Sequence, residues 1–268
     1  MNLRNLTIFA LALGCLALSA PAFAEDSKSQ PSNGTLLGSE LADFNSKIYY
    51  KNKFELSFDA GGLPFNTALI FDPLKGDKFA RQPGTVDYTL VPLIFSLRWH
   101  LYDPCGPSFL RGNTDLTFSG SYNVITQGPE SQYAAFLTGA RYNFVQPNWR
   151  IAPYLELRGG LGFTDAKQPE EKRHHQPRVG QGQDFTFTFI MGGGMRYNFN
   201  PRYSVSAGIA YMHISNLYLS EPKYYNHGIN VFGPNFGVNV ALPPRPSLRA
   251  TLHAIADGFR IPLGHTSN

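Results

Sequence analysis

The chain has 268 residues, a formal net charge of +4, 43% hydrophobic, 14% aromatic and 16% charged residues, and 26 glycines. The positive charge is diffuse and no basic run carries interleaved aromatics, which excludes a nucleic-acid partner. Of the two cysteines, one falls in the leader described next, so Cys105 forms neither an intrachain disulfide nor a metal site.

Arg4, an apolar run from Leu6 to Leu18, and then Ala22-Phe23-Ala24 have the layout of a secretory signal peptide over 1–24. Cys15 does not make this a lipoprotein leader, because Ala12-Leu13-Gly14 is a poor acylation box and the apolar run continues past the cysteine. The mixed polar segment 25–51 reads as a periplasmic lead-in. No later stretch reaches the roughly 18 to 20 unbroken apolar residues that a membrane helix needs, so any span must be built from strands. Alternation of apolar and polar residues predicts eight of them, over 52–60, 88–101, 114–126, 132–145, 150–164, 184–199, 202–215 and 229–242. In the fifth, Ile151, Leu155, Leu157, Leu161 and Phe163 face one way, and Tyr154, Glu156 and Arg158 the other. In the sixth, Phe185, Phe187, Phe189, Met191, Met195 and Tyr197 oppose Thr186, Thr188, Arg196 and Asn198.

The connectors alternate in length. Gln146-Pro147-Asn148 and Asn200-Pro201-Arg202 are tight turns, whereas 61–87, 165–183 and 216–228 are long. Short turns at one end and long loops at the other predict an all-β fold, an eight-stranded antiparallel transmembrane β-barrel of the outer membrane over 52–242, with its long loops outside the cell. A soluble β-sandwich is the competing architecture, since its strands would alternate too, with the apolar parity facing a core. Pro92 and Pro153 lie inside predicted strands and should each mark a bulge or a displaced boundary. The tail, 243–268, opens with Pro243-Pro244-Arg245-Pro246 and leaves the alternating pattern; Ser247 is placed to cap a short helix through Leu248, Leu252 and Ile255. The run Glu170-Glu171-Lys172-Arg173-His174-His175 reads as a solvated loop rather than a metal site. Gly192-Gly193-Gly194 interrupts a strand and opens no helix, so it is not a phosphate loop.

Chemistry concentrates at the end of the seventh strand, in His213-Ile214-Ser215-Asn216. Residues two apart on a strand share a face, so a base and a hydroxyl nucleophile meet on one side. That side carries Val205, Ala207, Ile209 and Tyr211, which makes it the lipid-facing one. Asn230, on the matching parity of the eighth strand, is placed to accept the Nδ1 proton of His213, leaving Nε2 to deprotonate Ser215. The blander reading is an interfacial girdle of polar side chains meeting lipid headgroups.

His213-Ile214-Ser215-Asn216, then Pro222, then Asn226-His227-Gly228-Ile229-Asn230 resemble the H-x-S-N, Pro-Asn and G-I-E pattern of the lipid A 3-O-deacylase family, the PagL type. The resemblance extends more weakly over about 50–242. It implies an outer-membrane barrel that removes an ester-linked acyl chain from the lipid A of lipopolysaccharide, with Ser215 as nucleophile, His213 as base, and Asn216, Asn226 and Gly228 supporting the site or its oxyanion. It implies no metal and no cofactor. Partners would be lipopolysaccharide and outer-membrane lipids; a homodimer is left open. The chain departs from the family in the inserted Lys223-Tyr224-Tyr225 and in Asn230, which stands where the family has an acid. The alternative expectation is a catalytically weak or inactive barrel whose outer loops bind surface glycans or proteins.

Overall fold

The computed structural model describes residues 44–69, 86–147, 149–166, 180–217, 219–220 and 228–243. The expected signal peptide, the helix after Ser247, the 170–175 run and Asn226 lie outside the described residues. The strands are β1 (Phe54–Gly61), β2 (Phe65–Asn66), β3 (Thr89–His100), β4 (Gly112–Gln127), β5 (Gln132–Phe144), β6 (Ile151–Thr164), β7 (Phe185–Asn198), β8 (Tyr203–Ser215) and β9 (Ile229–Ala241). From β3 to β9 each strand pairs antiparallel with its chain neighbour, and β1 pairs with both β3 and β9. That last pairing closes eight long strands into a barrel and leaves no sandwich edge. Among the described residues no helix is long and apolar enough to cross a membrane. The outside of the wall is a belt of large apolar side chains such as Phe95, 65% exposed, with Phe118, Phe136, Leu155, Met195 and Phe236. Such a continuous apolar surface suits lipid rather than water.

The lumen is filled by side chains in two layers. Toward the chain termini it is ionic: four buried carboxylates (Glu55, Asp59, Asp115, Glu156) lie among five buried cations (Lys53, Arg98, Arg141, Arg158, Arg196). Arg196 clamps Glu55 with both nitrogens at 2.7 and 2.9 Å. Arg141 and Arg158 share Glu156 Oε2 at 2.6 and 2.7 Å, and Arg98 donates to Asp59 at 3.2 Å. Near-cancellation of charge is what lets these groups stay buried. Toward the long loops the same lumen holds an apolar cluster that includes Leu63, Leu90, Leu137, Ile190, Met212 and Val231, alongside uncharged buried polar groups such as Asn123, Thr186 and Thr188.

The lead-in does not stop at the barrel's rim. A short helix over 44–48 buries Ile48 and Tyr49 against Val145 and Ala152, while Asn45 Nδ2 donates to the carbonyls of Gln146 and Trp149 at 2.8 and 3.2 Å. The segment thereby closes the mouth next to the chain termini.

Two expectations are corrected. The ladders run through Pro92 and Pro153 without a bulge; the register shift on β3 falls between Thr89 and Leu90. Each proline lies one residue beyond the last pair of a neighbouring ladder, Ala60–Leu93 and Asn143–Tyr154, where a missing N–H donor costs little. The connector after β1 is also not plain loop. Gly62, Leu63 and Pro64 lie opposite Gly233 and Pro234, three residues against two, and β2 then resumes the ladder at Phe232 and Val231. This is a β-bulge. It requires Gly233, whose added Cβ would come within 2.1 Å of the Gly62 carbonyl oxygen. Past the bulge, Thr67 N–H donates to the Asn230 carbonyl at 3.1 Å, which fixes the backbone that carries the site.

Candidate active site

β8 and β9 exchange the polarity of their two faces along their length. Near the chain termini, β8 points Ser204 and Ser206 inward and Val205 and Ala207 outward. Near the long loops it points Met212 and Ile214 inward and Tyr211, His213 and Ser215 outward. β9 does the same, with Asn239 and Asn235 inside at one end and Val231 and Ile229 at the other. Along the outer stripe of β8 exposure falls from 63% at Ile209 to 7% at Tyr211 and 7% at Ser215. Phe189, the cross-strand partner of His213 on β7, is buried too. The polar side chains thus sit in a sheltered patch on the outer wall.

His213 and Asn230 are directly opposed in the β8–β9 register, which brings their Cβ atoms within about 5 Å of each other. Their side chains meet: His213 Nδ1 lies 2.8 Å from Asn230 Oδ1. An amide oxygen only accepts, so Nδ1 carries the proton and donates, and Nε2 is left as the basic nitrogen. The amide is oriented by its other end, Asn230 Nδ2 donating to the Gly228 carbonyl at 3.2 Å. A second donor reaches the same oxygen, the Tyr211 hydroxyl at 2.7 Å. Tyr211 carried no role in the sequence reading; the signal available was its place on the parity of His213, two residues earlier.

Ser215 is the last residue of β8 and follows His213 on the same face, roughly 6.5 Å away by strand rise. Its Oγ accepts the Leu217 N–H at 3.2 Å. Leu217 has φ +52°, a left-handed conformation that costs a residue with a side chain roughly 1–2 kcal/mol. The turn brings a backbone donor onto the serine oxygen. Asn216 is fully buried and its Nδ2 donates to Ser220 Oγ at 2.8 Å, so it braces the start of the loop. Gly228 abuts the ring, since a Cβ there would lie 3.2 Å from His213 Cε1. The structure therefore brings His213, Asn230 and Gly228 into one cluster with Ser215 beside it, sets Asn216 one step away, and leaves Asn226 outside the described residues. An apolar groove of about 520 Å³ lined by Phe58, Ala60, Met195, Ala207 and Phe236 opens on the same wall. Ala207 is roughly 25 Å down β8 from Ser215 by strand rise, so the groove is separate from this cluster.

Among solved structures, the chain is similar to the outer membrane enzyme PagL, with 17% identity over 70% of this chain and 99% of that one and a TM-score of 0.43. It is also similar to Neisserial surface protein A, with 12% identity over 70% and 96% and a TM-score of 0.42. The N-terminal β-barrel domain of Pseudomonas aeruginosa OprF gives 13% identity over 72% and 98% and a TM-score of 0.38. No curated protein matches the sequence. The family model described as lipid A 3-O-deacylase (PagL) matches residues 96–239, more than half of the chain and nearly the whole wall from β3 to β9. The chain belongs to the lipid A 3-O-deacylase family of outer-membrane β-barrels.

Proposed function

We propose that the protein hydrolyses an ester-linked acyl chain of lipid A at Ser215, with His213 as base and Asn230 as the residue that orients the base. The observation that carries this reading is the 2.8 Å contact between His213 Nδ1 and Asn230 Oδ1, on the lipid side of the wall and next to a serine that ends its strand. In this mechanism Nε2 takes the Ser215 proton as Oγ attacks the ester carbonyl. The tetrahedral intermediate collapses by releasing the sugar hydroxyl, which takes the proton back from His213. Water, deprotonated by the same nitrogen, then frees the fatty acid and restores Ser215. Backbone N–H groups in the turn after Asn216 are the candidate donors to the oxyanion, with Asn226 as a further candidate. With both termini in the periplasm, the long-loop end faces outward and the cluster meets the outer leaflet, where lipid A resides. The substrate enters sideways from the bilayer.

The uncharged Asn230 lowers the expected rate without abolishing it. Hydrogen bonds to a charged acceptor exceed neutral ones by on the order of 1–2 kcal/mol, a handicap of roughly 5- to 30-fold. The roughly 10⁴-fold loss known for an Asp-to-Asn change in a serine protease arises from the wrong imidazole tautomer, whereas here the amide oxygen faces the ring. The amide in the acid's position also favours a second reading, a barrel that has lost turnover and binds surface glycans or proteins through its loops. Mass spectrometry of lipid A from cells expressing the wild type or Ser215→Ala separates the two. Loss of an acyl chain only with the wild type is expected; identical lipid A in both would remove the enzyme reading.

A further inference from the structure

An amide differs from a carboxylate in having two unlike ends, so an asparagine facing a catalytic histidine works in one orientation and fails in the other. With Oδ1 toward His213 the proton sits on Nδ1 and Nε2 is basic. With Nδ2 toward the ring, Nδ1 must accept, the proton moves to Nε2, and the serine proton has no acceptor. A carboxylate faces no such choice. The site therefore needs a device that a family member with an acid does not.

We propose that Tyr211 is a positioning residue: its hydroxyl, together with the Gly228 carbonyl, locks the Asn230 amide with oxygen toward His213. The inference rests on the reading of His213 as the base. The Gly228 carbonyl accepts from Nδ2 at 3.2 Å and would face the Oδ1 lone pairs if the amide turned over. The Tyr211 hydroxyl donates to Oδ1 at 2.7 Å; with the amide turned over it would accept from Nδ2 instead, and its own proton would lose its sheltered acceptor. Both donors on Oδ1 come from β8, from the residue directly opposite Asn230 and from the one two places before it, Tyr211 itself pairing with Phe232. Diagonal neighbours on one face of an antiparallel pair are within reach of an aromatic side chain. A girdle tyrosine would instead lie open to the headgroups, as Tyr197 and Tyr203 do near the chain-terminus end at 40% and 46% exposure. Tyr211 is 7% exposed and spends its hydroxyl inside the cluster.

The test uses the full chain folded in detergent micelles, with a heat-shift gel to verify that each variant is folded. Ring nitrogen resonances of His213, assigned by His213→Gln and read at a pH where the imidazole is neutral, report the tautomer directly. The wild type should hold the proton on Nδ1, and Tyr211→Phe should shift a measurable fraction to Nε2. Fatty-acid release from purified lipopolysaccharide gives the second arm. Tyr211→Phe should lower kcat on the order of tenfold with Asn230 in place, the effect of removing one bond to a buried acceptor. It should cost about threefold or less in the Asn230→Asp background, because a carboxylate has no wrong end. An unchanged tautomer in folded Tyr211→Phe, or equal losses in both backgrounds, would overturn the positioning role. Inactivity of the wild type would remove the deacylase reading alone, since the ring resonances decide the role of Tyr211 either way.

Discussion

The two ends of the barrel use the same strands in opposite senses. Near the chain termini, polar side chains point inward and find charged partners there, as Glu55 does with Arg196 and Lys53, while the outside is mainly apolar, with tyrosines such as Tyr197 and Tyr203 exposed at its rim. Near the long loops, the inside of β8 and β9 is apolar, with Met212, Ile214, Ile229 and Val231, and the outside carries Tyr211, His213, Ser215 and Asn230. Polar groups inside are explained by the pairing that offsets their desolvation. Polar groups outside, at the edge of hydrocarbon, have no such structural return, and here Tyr211 and His213 converge on the amide oxygen of Asn230 with Ser215 two residues further along the strand. The inversion separates a half that closes and stabilises the barrel from a half that presents chemistry on a dry scaffold.

The comparison can be broken by making each half behave like the other. The largest expected effect is in the long-loop half, where Ser215→Ala should reduce fatty-acid release on the order of 10⁴-fold or more with unchanged unfolding in urea; a folded Ser215→Ala that keeps turnover would return the cluster to a headgroup girdle. In the ionic half, Glu55→Ala leaves Arg196 and Lys53 buried without their carboxylate and should destabilise the barrel by about 3–5 kcal/mol. Its activity per folded molecule should be unchanged when assayed at low temperature. Under the site, Met212→Ala opens a cavity in the apolar layer directly beneath the outer patch, at an expected cost of about 2–4 kcal/mol. Unlike Glu55→Ala, it should lower activity of the folded protein as well. The smallest effect sharpens the comparison instead of breaking it: Asn230→Asp should raise kcat roughly 5- to 30-fold by returning charge to the imidazolium's partner. A decrease would mean that the amide is preferred at this position.

Much of this was legible beforehand, for reasons that differ from residue to residue. The placement of His213, Ser215 and Asn230 on one exterior face followed from counting parity, because the side-chain period of a strand is two and local. Strand ends were read to within two residues for the same reason. The bulge at Gly62–Pro64 was missed because the segment offers no alternation of its own and takes its conformation from β9. The prolines misled because their tolerance depends on where a neighbouring ladder stops, a property of two strands together. Tyr211 was passed over because a tyrosine on an apolar outer stripe looks like any interfacial aromatic until the register sets Asn230 diagonally across from it.

Sequence alone determined the strands, the face that His213, Ser215 and Asn230 take and the likeness to a family, all of which depend on near neighbours and on a motif. Only the closed tertiary structure decided which acid meets which base in the lumen, where Glu55 and Arg196 are 141 residues apart. It also set the layering of that lumen and the orientation of one amide. Those depend on shear, closure and register, and register is a relation between strands that no single strand encodes.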